Sequence, residues 1–162
     1  MRAFFVSLSA LLLTACGLSP MYAGGGDGVV ARGLAAVDVA PIEGQAGWLV
    51  RNALNDRLGA AGAASPQYRL DVRLDDQLEG LAILRDDTVS RERRTLRARY
   101  QLIDLANGEI VLDATAGSDA GIDVVSSEYA TIAAEQTALE NLAEDVAQRI
   151  VTRVALTLRG ES

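Results

Sequence analysis

The sequence has no histidine and no lysine; all 15 of its basic residues are arginine. Those two absences remove whole classes of chemistry. Ser-His and Cys-His nucleophile pairs, Ser-Lys pairs, Schiff-base lysines and the phosphate-loop lysine are unavailable. Cysteine occurs once, at Cys16, so no disulfide can form within the chain, and zinc or haem would lack their usual ligands. Aromatic residues are only 4% of the chain, and Phe4 and Phe5 lie at its very start. Sugar sites that stack rings on aromatic platforms have little to build with. A hydrolase of the cell wall using two carboxylates passes this filter, but the sequence brings no two acids into an evident cleft. No enzyme is expected, and no metal or cofactor. Acidic residues outnumber basic ones 22 to 15, for a formal net charge of −7. That balance argues against nucleic acid as a partner and against general adhesion to anionic lipid. No run reaches 18 consecutive apolar residues, the minimum for a spanning helix.

What is present starts at the N-terminus. Arg2 precedes an apolar run, Ala3 to Leu13, broken only by Ser7 and Ser9. A charged start, a short apolar centre and small residues before a cut are the layout of a secretory signal. Leu13-Thr14-Ala15-Cys16 sharpens the reading to a bacterial lipobox, with a branched residue three before a cysteine and small ones between. The thiol chemistry of Cys16, not its packing, explains its place. Cys16 is thus the expected lipid attachment site, carrying S-diacylglycerol and an N-acyl chain, and two or more acyl chains hold a protein to a bilayer almost permanently. Gly17 rather than Asp follows the cysteine, which in the usual sorting rule sends a lipoprotein to the outer membrane. The expected organisation is a signal peptide over 1–15, a flexible lipid tether over 16–33, a single domain over 34–158 and a short tail over 159–162. A Gly-rich coil of about 17 residues spans roughly 20–25 Å, which keeps the domain close to the membrane face.

Hydrophobic periodicity predicts the domain. Leu34 to Ile42 is β-rich and ends at Pro41-Ile42-Glu43-Gly44, so it reads as a first strand. From Gln45 to Ala61, Val50, Leu54, Leu58 and Ala61 share one helical face, with Trp48 beside the stripe. After Ser65-Pro66 the period becomes two: Tyr68, Leu70, Val72 and Leu74 fall on one side, Arg69, Asp71, Arg73 and Asp75 on the other. The parity of the apolar residues shifts near Gly80, which predicts a bulge. Arg85-Asp86-Asp87-Thr88 reads as a turn. The next strand, Val89 to Leu105, turns Leu96, Ala98, Tyr100 and Leu102 inward. Asn107-Gly108 marks a hairpin turn. Glu109 to Ala116 returns with Ile110, Leu112 and Ala114 inward, and Gly117 to Asp123 reads as irregular. Ser126-Ser127 caps a last helix to about Leu158, with an apolar stripe of Ile132, Leu139, Leu142, Val146, Ile150 and Val154. The order is β-α-β-β-β-α. The expected fold class is α+β, a two-layer sandwich in which two helices cover one face of a four-stranded sheet.

One constellation stands out against this frame. Arg91, Arg93, Arg94, Arg97 and Arg99 fall within nine residues. Alternation puts Arg91, Arg93, Arg97 and Arg99 on one face of one strand, with Arg94 on the other beside Glu92. The bland reading is a solvated lattice of cross-strand ion pairs with Asp71, Asp75 and Asp113, each contributing roughly 0.2–1 kcal/mol. The functional reading is a guanidinium strip for phosphate or carboxylate, since the planar fork of arginine holds two oxygens at once.

The chain resembles the lipopolysaccharide-assembly lipoprotein family of LptE type, in its alphaproteobacterial form. The resemblance runs over most of residues 10–158. It is carried by the lipobox with Cys16-Gly17-Leu18-Ser19-Pro20-Met21-Tyr22, and by Leu49-Val50-Arg51-Asn52-Ala53-Leu54-Asn55-Asp56-Arg57-Leu58. Tyr68-Arg69-Leu70, Arg85-Asp86-Asp87-Thr88, Tyr100-Gln101-Leu102-Ile103-Asp104-Leu105 and Tyr129-Ala130-Thr131 follow in order. Leu18-Ser19 departs from the Phe-Arg or Phe-His expected after Cys-Gly. The resemblance implies a non-catalytic lipoprotein on the periplasmic face of the outer membrane. It would plug the β-barrel partner LptD, assist its assembly, and take part in placing lipopolysaccharide in the outer leaflet. It further implies lipopolysaccharide phosphates as the anions for Arg91, Arg93, Arg97 and Arg99. The alternative is an auxiliary lipoprotein of an ABC-type lipid transport system, which would need a sizeable apolar cavity between sheet and helices.

Overall fold

The computed structural model describes residues 29–59, 65–83 and 89–160. Cys16 and the Arg85–Thr88 turn lie outside the described residues. Along the chain come α1 (Val29–Ala35), β1 (Val37–Val39), α2 (Gly44–Leu58), β2 (Tyr68–Ile83), β3 (Val89–Asp104), β4 (Ile110–Asp123) and α3 (Glu128–Arg159). The strands form one sheet in the order β1-β2-β3-β4. β1 runs parallel to β2, while β2, β3 and β4 are antiparallel neighbours. The α+β two-layer architecture is the one expected from periodicity, with one helix added.

Alternation sets which face is buried. Leu70, Leu102 and Leu112 lie side by side across β2, β3 and β4, and Val72, Tyr100 and Ala114 form the next row. Leu70, Leu96 and Leu102 are fully buried beneath the helices. α2 contributes Val50, Leu54 and Leu58; α3 contributes Leu139, Leu142, Val146, Ile150 and Val154. Fully burying one such side chain stabilises a fold by about 1.5–3 kcal/mol. These residues fill the space between the layers, so the apolar cavity that a lipid carrier needs is occupied by the protein's own core. α3, at 32 residues, is about 48 Å long. β2 and β3, at 16 residues each, span about 53 Å. Helix and sheet therefore run together over most of the domain.

The helix ends follow local chemistry. Ser127 caps α3, its hydroxyl accepting from the Ala130 N–H at 3.4 Å. Gly59 ends α2 at φ +69°, a left-handed conformation that favours glycine, so the helix stops three residues short of Ala61.

Several expectations need correction. Val29–Ala35, read as the end of the tether and the start of a strand, is helical, and β1 is only Val37–Val39. Seven residues seldom hold a helix alone. Here Leu34 is buried and Gly33 lies against Leu158, so packing on the end of α3 supplies what propensity does not. Three helices, not two, are therefore present among the described residues. Gly117 to Asp123 is not irregular but the second half of β4, paired to β3 from Arg97 back to Arg91. Apart from Ile122 its residues are poor strand formers; a full-length neighbour offers their backbone a complete ladder. Ile110 does not point inward: the register slips between Leu102 and Ile103, and Ile110 is exposed. Ile132 is exposed too, and Thr131 occupies the buried position. Trp48 lies on the solvent side of α2. The parity change near Gly80 is seen as register shifts between Gly80 and Ile83.

Gly47 sits where α2 meets the turn after β1, and a Cβ there would lie 2.6 Å from the Ile42 carbonyl oxygen. Helix propensity alone predicts that Gly47→Ala gains about 1 kcal/mol. The overlap with backbone reverses the sign, and a net loss of about 1–3 kcal/mol is expected. Urea denaturation of the two proteins measures it; a stabilised variant would refute the packing described.

Candidate functional site on the open face of the sheet

The face of the sheet without helices carries the candidate residues. β2 presents Arg69, Asp71, Arg73, Asp75, Gln77 and Glu79; β3 presents Arg91, Arg93, Thr95, Arg97, Arg99 and Gln101. β4 adds Asp113, Thr115, Gly117, Asp119, Gly121 and Asp123. All four sequence-predicted arginines, Arg91, Arg93, Arg97 and Arg99, lie on this face as alternation requires.

Their surroundings differ. Arg91 reaches Asp123 at 3.2 Å. Arg99 meets both oxygens of Asp113 through its Nε and Nη2, at 3.4 and 3.2 Å, while Gln101 donates to the same carboxylate at 2.8 Å. Arg93 faces Glu79 and Arg97 faces Asp75 across the ladder. Neither makes an ion pair within 4.0 Å among the described residues. Of the acids proposed as cross-strand partners, only Asp113 serves an arginine of β3. Asp71 pairs with Arg69 of its own strand at 3.0 Å, and Asp75 accepts from Gln77.

Arg94 belongs to the other face. Its guanidinium binds Asp76 through two hydrogen bonds of 2.9 and 2.7 Å, not the adjacent Glu92, and a third reaches the Glu135 carbonyl at 3.2 Å. The Asp76 hydrogen bond is the main reason its pKa rises further above the ordinary arginine value. This half-buried pair joins β2, β3 and α3. It is structural. Further along β3 in the core, burial pushes the Tyr100 phenol up, with Arg153 pulling the other way.

One residue escaped the sequence reading. Arg73 of β2 directly faces Arg99 of β3, a like-charge pair that opposes sheet stability. Arg73, Arg97 and Arg99 line a shallow depression of about 500 Å³ with Asp75, Thr115 and Gly117. A Cβ at Gly117 would lie 3.4 Å from the Arg97 Cγ, an ordinary contact, so the backbone of β4 passes close beside that side chain. The signal for Arg73 was its parity with Arg69; the strand pairing that places it beside Arg99 is long-range. Chemically, this arrangement can hold an anion between guanidinium groups. No cluster of three or more acids among the described residues is arranged to hold a metal ion. No described helix is long and apolar enough to cross a membrane.

Arg99 and then Gln101 donate to Asp113, holding its carboxyl below the ordinary aspartate range. A carboxyl with a lowered folded-state pKa contributes stability above its unfolded value, and this is lost as pH falls through the folded value. Asp113→Asn should therefore unfold at lower denaturant than the natural protein at neutral pH, with the gap closing as acid protonates the Asp113 carboxyl. A gap that does not change with pH would contradict the pairing.

The model of the family described as "LptE: Lipopolysaccharide-assembly" matches residues 34–154. No curated protein matches the sequence. Among solved structures, a protein of Caulobacter crescentus described as a lipoprotein is similar at 27% identity and a TM-score of 0.69, covering 81% of this chain and 96% of its own. The minor lipoprotein of Acinetobacter baumannii (14% identity, TM-score 0.57, 74% and 89% covered) shares the fold. So does the rare lipoprotein B of Shewanella oneidensis (14%, 0.54, 76% and 96%). The matched span includes β1, β2, β3, β4, α2 and most of α3, and on it the chain belongs to the LptE lipopolysaccharide-assembly family.

Proposed function

We propose that this chain is an outer-membrane lipoprotein, acylated at Cys16, that plugs the LptD β-barrel, assists its assembly and takes part in placing lipopolysaccharide in the outer leaflet. It performs no catalysis. The family match over residues 34–154 carries this reading. Physical features agree with it. Barrel interiors are polar, and a sheet face of alternating arginines and acids suits such a lumen better than an apolar surface would. The core between the layers is filled by side chains, which favours a wedge over a carrier with a ligand cavity. The acyl chains on Cys16 would hold the plug at the inner leaflet.

Lipopolysaccharide phosphates are the anions proposed for the open face. Arg93 and Arg97, which have no ion pair among the described residues, and Arg73, which lines the same depression as Arg97, are the expected contacts. Arg91 and Arg99 would first have to leave Asp123 and Asp113. Two measurements test the proposal. Affinity isolation of the lipidated protein from outer membranes should recover a large β-barrel protein, and a Cys16→Ala chain should be neither acylated nor retained there. Recovery of an ABC transporter instead would overturn it. On purified lipopolysaccharide, Arg93→Glu with Arg97→Glu should weaken binding about tenfold or more, as loss of charge-assisted hydrogen bonds implies, and spare barrel recovery. Unchanged binding would remove lipopolysaccharide from this face.

A further inference from the structure

β2 outruns its neighbour on one side. β1 pairs only with Tyr68, Arg69 and Leu70. The chain then leaves the sheet at Pro41, whose missing N–H cannot extend a ladder. Backbone hydrogen bonds give the direction of each group along β2. The Tyr68 N–H donates to the Ala36 carbonyl and the Leu70 carbonyl accepts from the Ala40 N–H, both at 3.1 Å on the β1 side. The Gln67 carbonyl instead accepts from the Leu105 N–H at 2.9 Å, on the β3 side. Alternation along the strand therefore aims the N–H and C=O of Val72, Leu74, Asp76 and Leu78 at an edge that no strand among the described residues occupies. Where β1 stops, residues 40–43 and 71–74 enclose a depression of about 470 Å³.

The inner face is bare along the same stretch. Leu78 and Leu81 are each 44% exposed, and Ile132, on the first turns of α3, is 56% exposed. Glu92 lies opposite Gly80 on this face, and its Oε2 is buried without a hydrogen-bond partner. A buried carboxylate oxygen left unpaired is costly, more so than a neutral group would be. An open edge, uncovered leucines and an unanswered acid coincide at one end of one strand.

We propose that an extended segment of the barrel partner adds to the free edge of β2 between Val72 and Gly80. Main-chain hydrogen bonds supply affinity in such strand addition, and alternate side chains supply specificity. Its inward residues are apolar and cover Leu78 and Ile132. A Lys or Arg crosses Gly80, which offers no side chain in its way, to meet Glu92. Its outward residues face Asp75, Gln77 and Glu79, so basic residues are favoured there as well. Chemistry selects this occupant over others. A second copy paired antiparallel about Gln77 would set Asp75 against Glu79, and a lipid has no main chain with which to complete the ladder. β4 also has an open edge, but Leu112 and Ile122 on its inner face are already buried, so a strand added there would cover little.

This inference rests on the plug reading for the identity of the partner, and the test separates the two. In the lipidated full-length chain in its own membrane, a photo-crosslinking phenylalanine at Leu78 should join one segment of the barrel protein. Peptide mapping should show that segment alternating apolar and basic residues. Leu78→Asp should lower barrel recovery about tenfold, the effect of a central contact, without changing the circular dichroism or melting of the isolated chain. A crosslink to lipopolysaccharide or to a second copy overturns the inference, as does unchanged recovery of Leu78→Asp while the natural chain still brings down the barrel. If the natural chain recovers no barrel, the plug reading falls and this falls with it.

Discussion

The continuous pairing of β2, β3 and β4 is the interaction on which everything else depends. Over strands of 14 to 16 residues, and away from the shifts near Gly80 and Leu102, each residue's face is decided by its parity. A slip of one residue would send Leu70, Tyr100 and Leu102 to solvent and Arg69, Arg99 and Gln101 under the helices. The buried rows and the arginine face are thus two consequences of one register. The core specifies the register, and the register places the charges.

That division explains a domain of this composition. With no disulfide, no metal cluster among the described residues and few aromatics, stability comes from Leu, Val, Ile and Ala in a layer between sheet and helices. The helix-free face is left to other work. Most of its ion pairs are exposed and add little to stability, whereas the Arg94–Asp76 pair, half buried and backed by the Glu135 carbonyl, ties three elements together. A rigid body with one polar sheet face suits a part that works by fitting into a larger one.

Much of this was legible in the sequence because alternation and helical spacing are local. Tyr68 to Leu74, Leu96 to Leu102 and the stripe of α3 from Leu139 onward are assigned correctly from period alone, and Ser127 announces its helix. What was not legible is long-range. The second half of β4 is made of Gly, Ser, Ala and Asp apart from Ile122, and its neighbour β3 makes it a strand. α1 exists because Leu34 finds the end of α3. Ile110 faces outward because of a one-residue slip that neither strand reveals alone. On the open face, the four arginines were placed correctly, but which of them are paired depended on acids from other strands. Arg73 became visible only once β2 lay beside β3.

As a plug, the protein would have its polar sheet face enclosed by the barrel, and the end of the sheet where Ala36, Gln67 and the β3–β4 turn meet would lie outside it. Cys16 is the only cysteine and its thiol is expected to carry lipid, so single cysteines introduced elsewhere would report accessibility cleanly. Thr95→Cys on the open face and Asn107→Cys at the β3–β4 turn should both react with a maleimide in the isolated protein. In the complex taken from outer membranes, Thr95→Cys should be protected and Asn107→Cys should still react. Equal labelling of Thr95→Cys in both states would contradict the account.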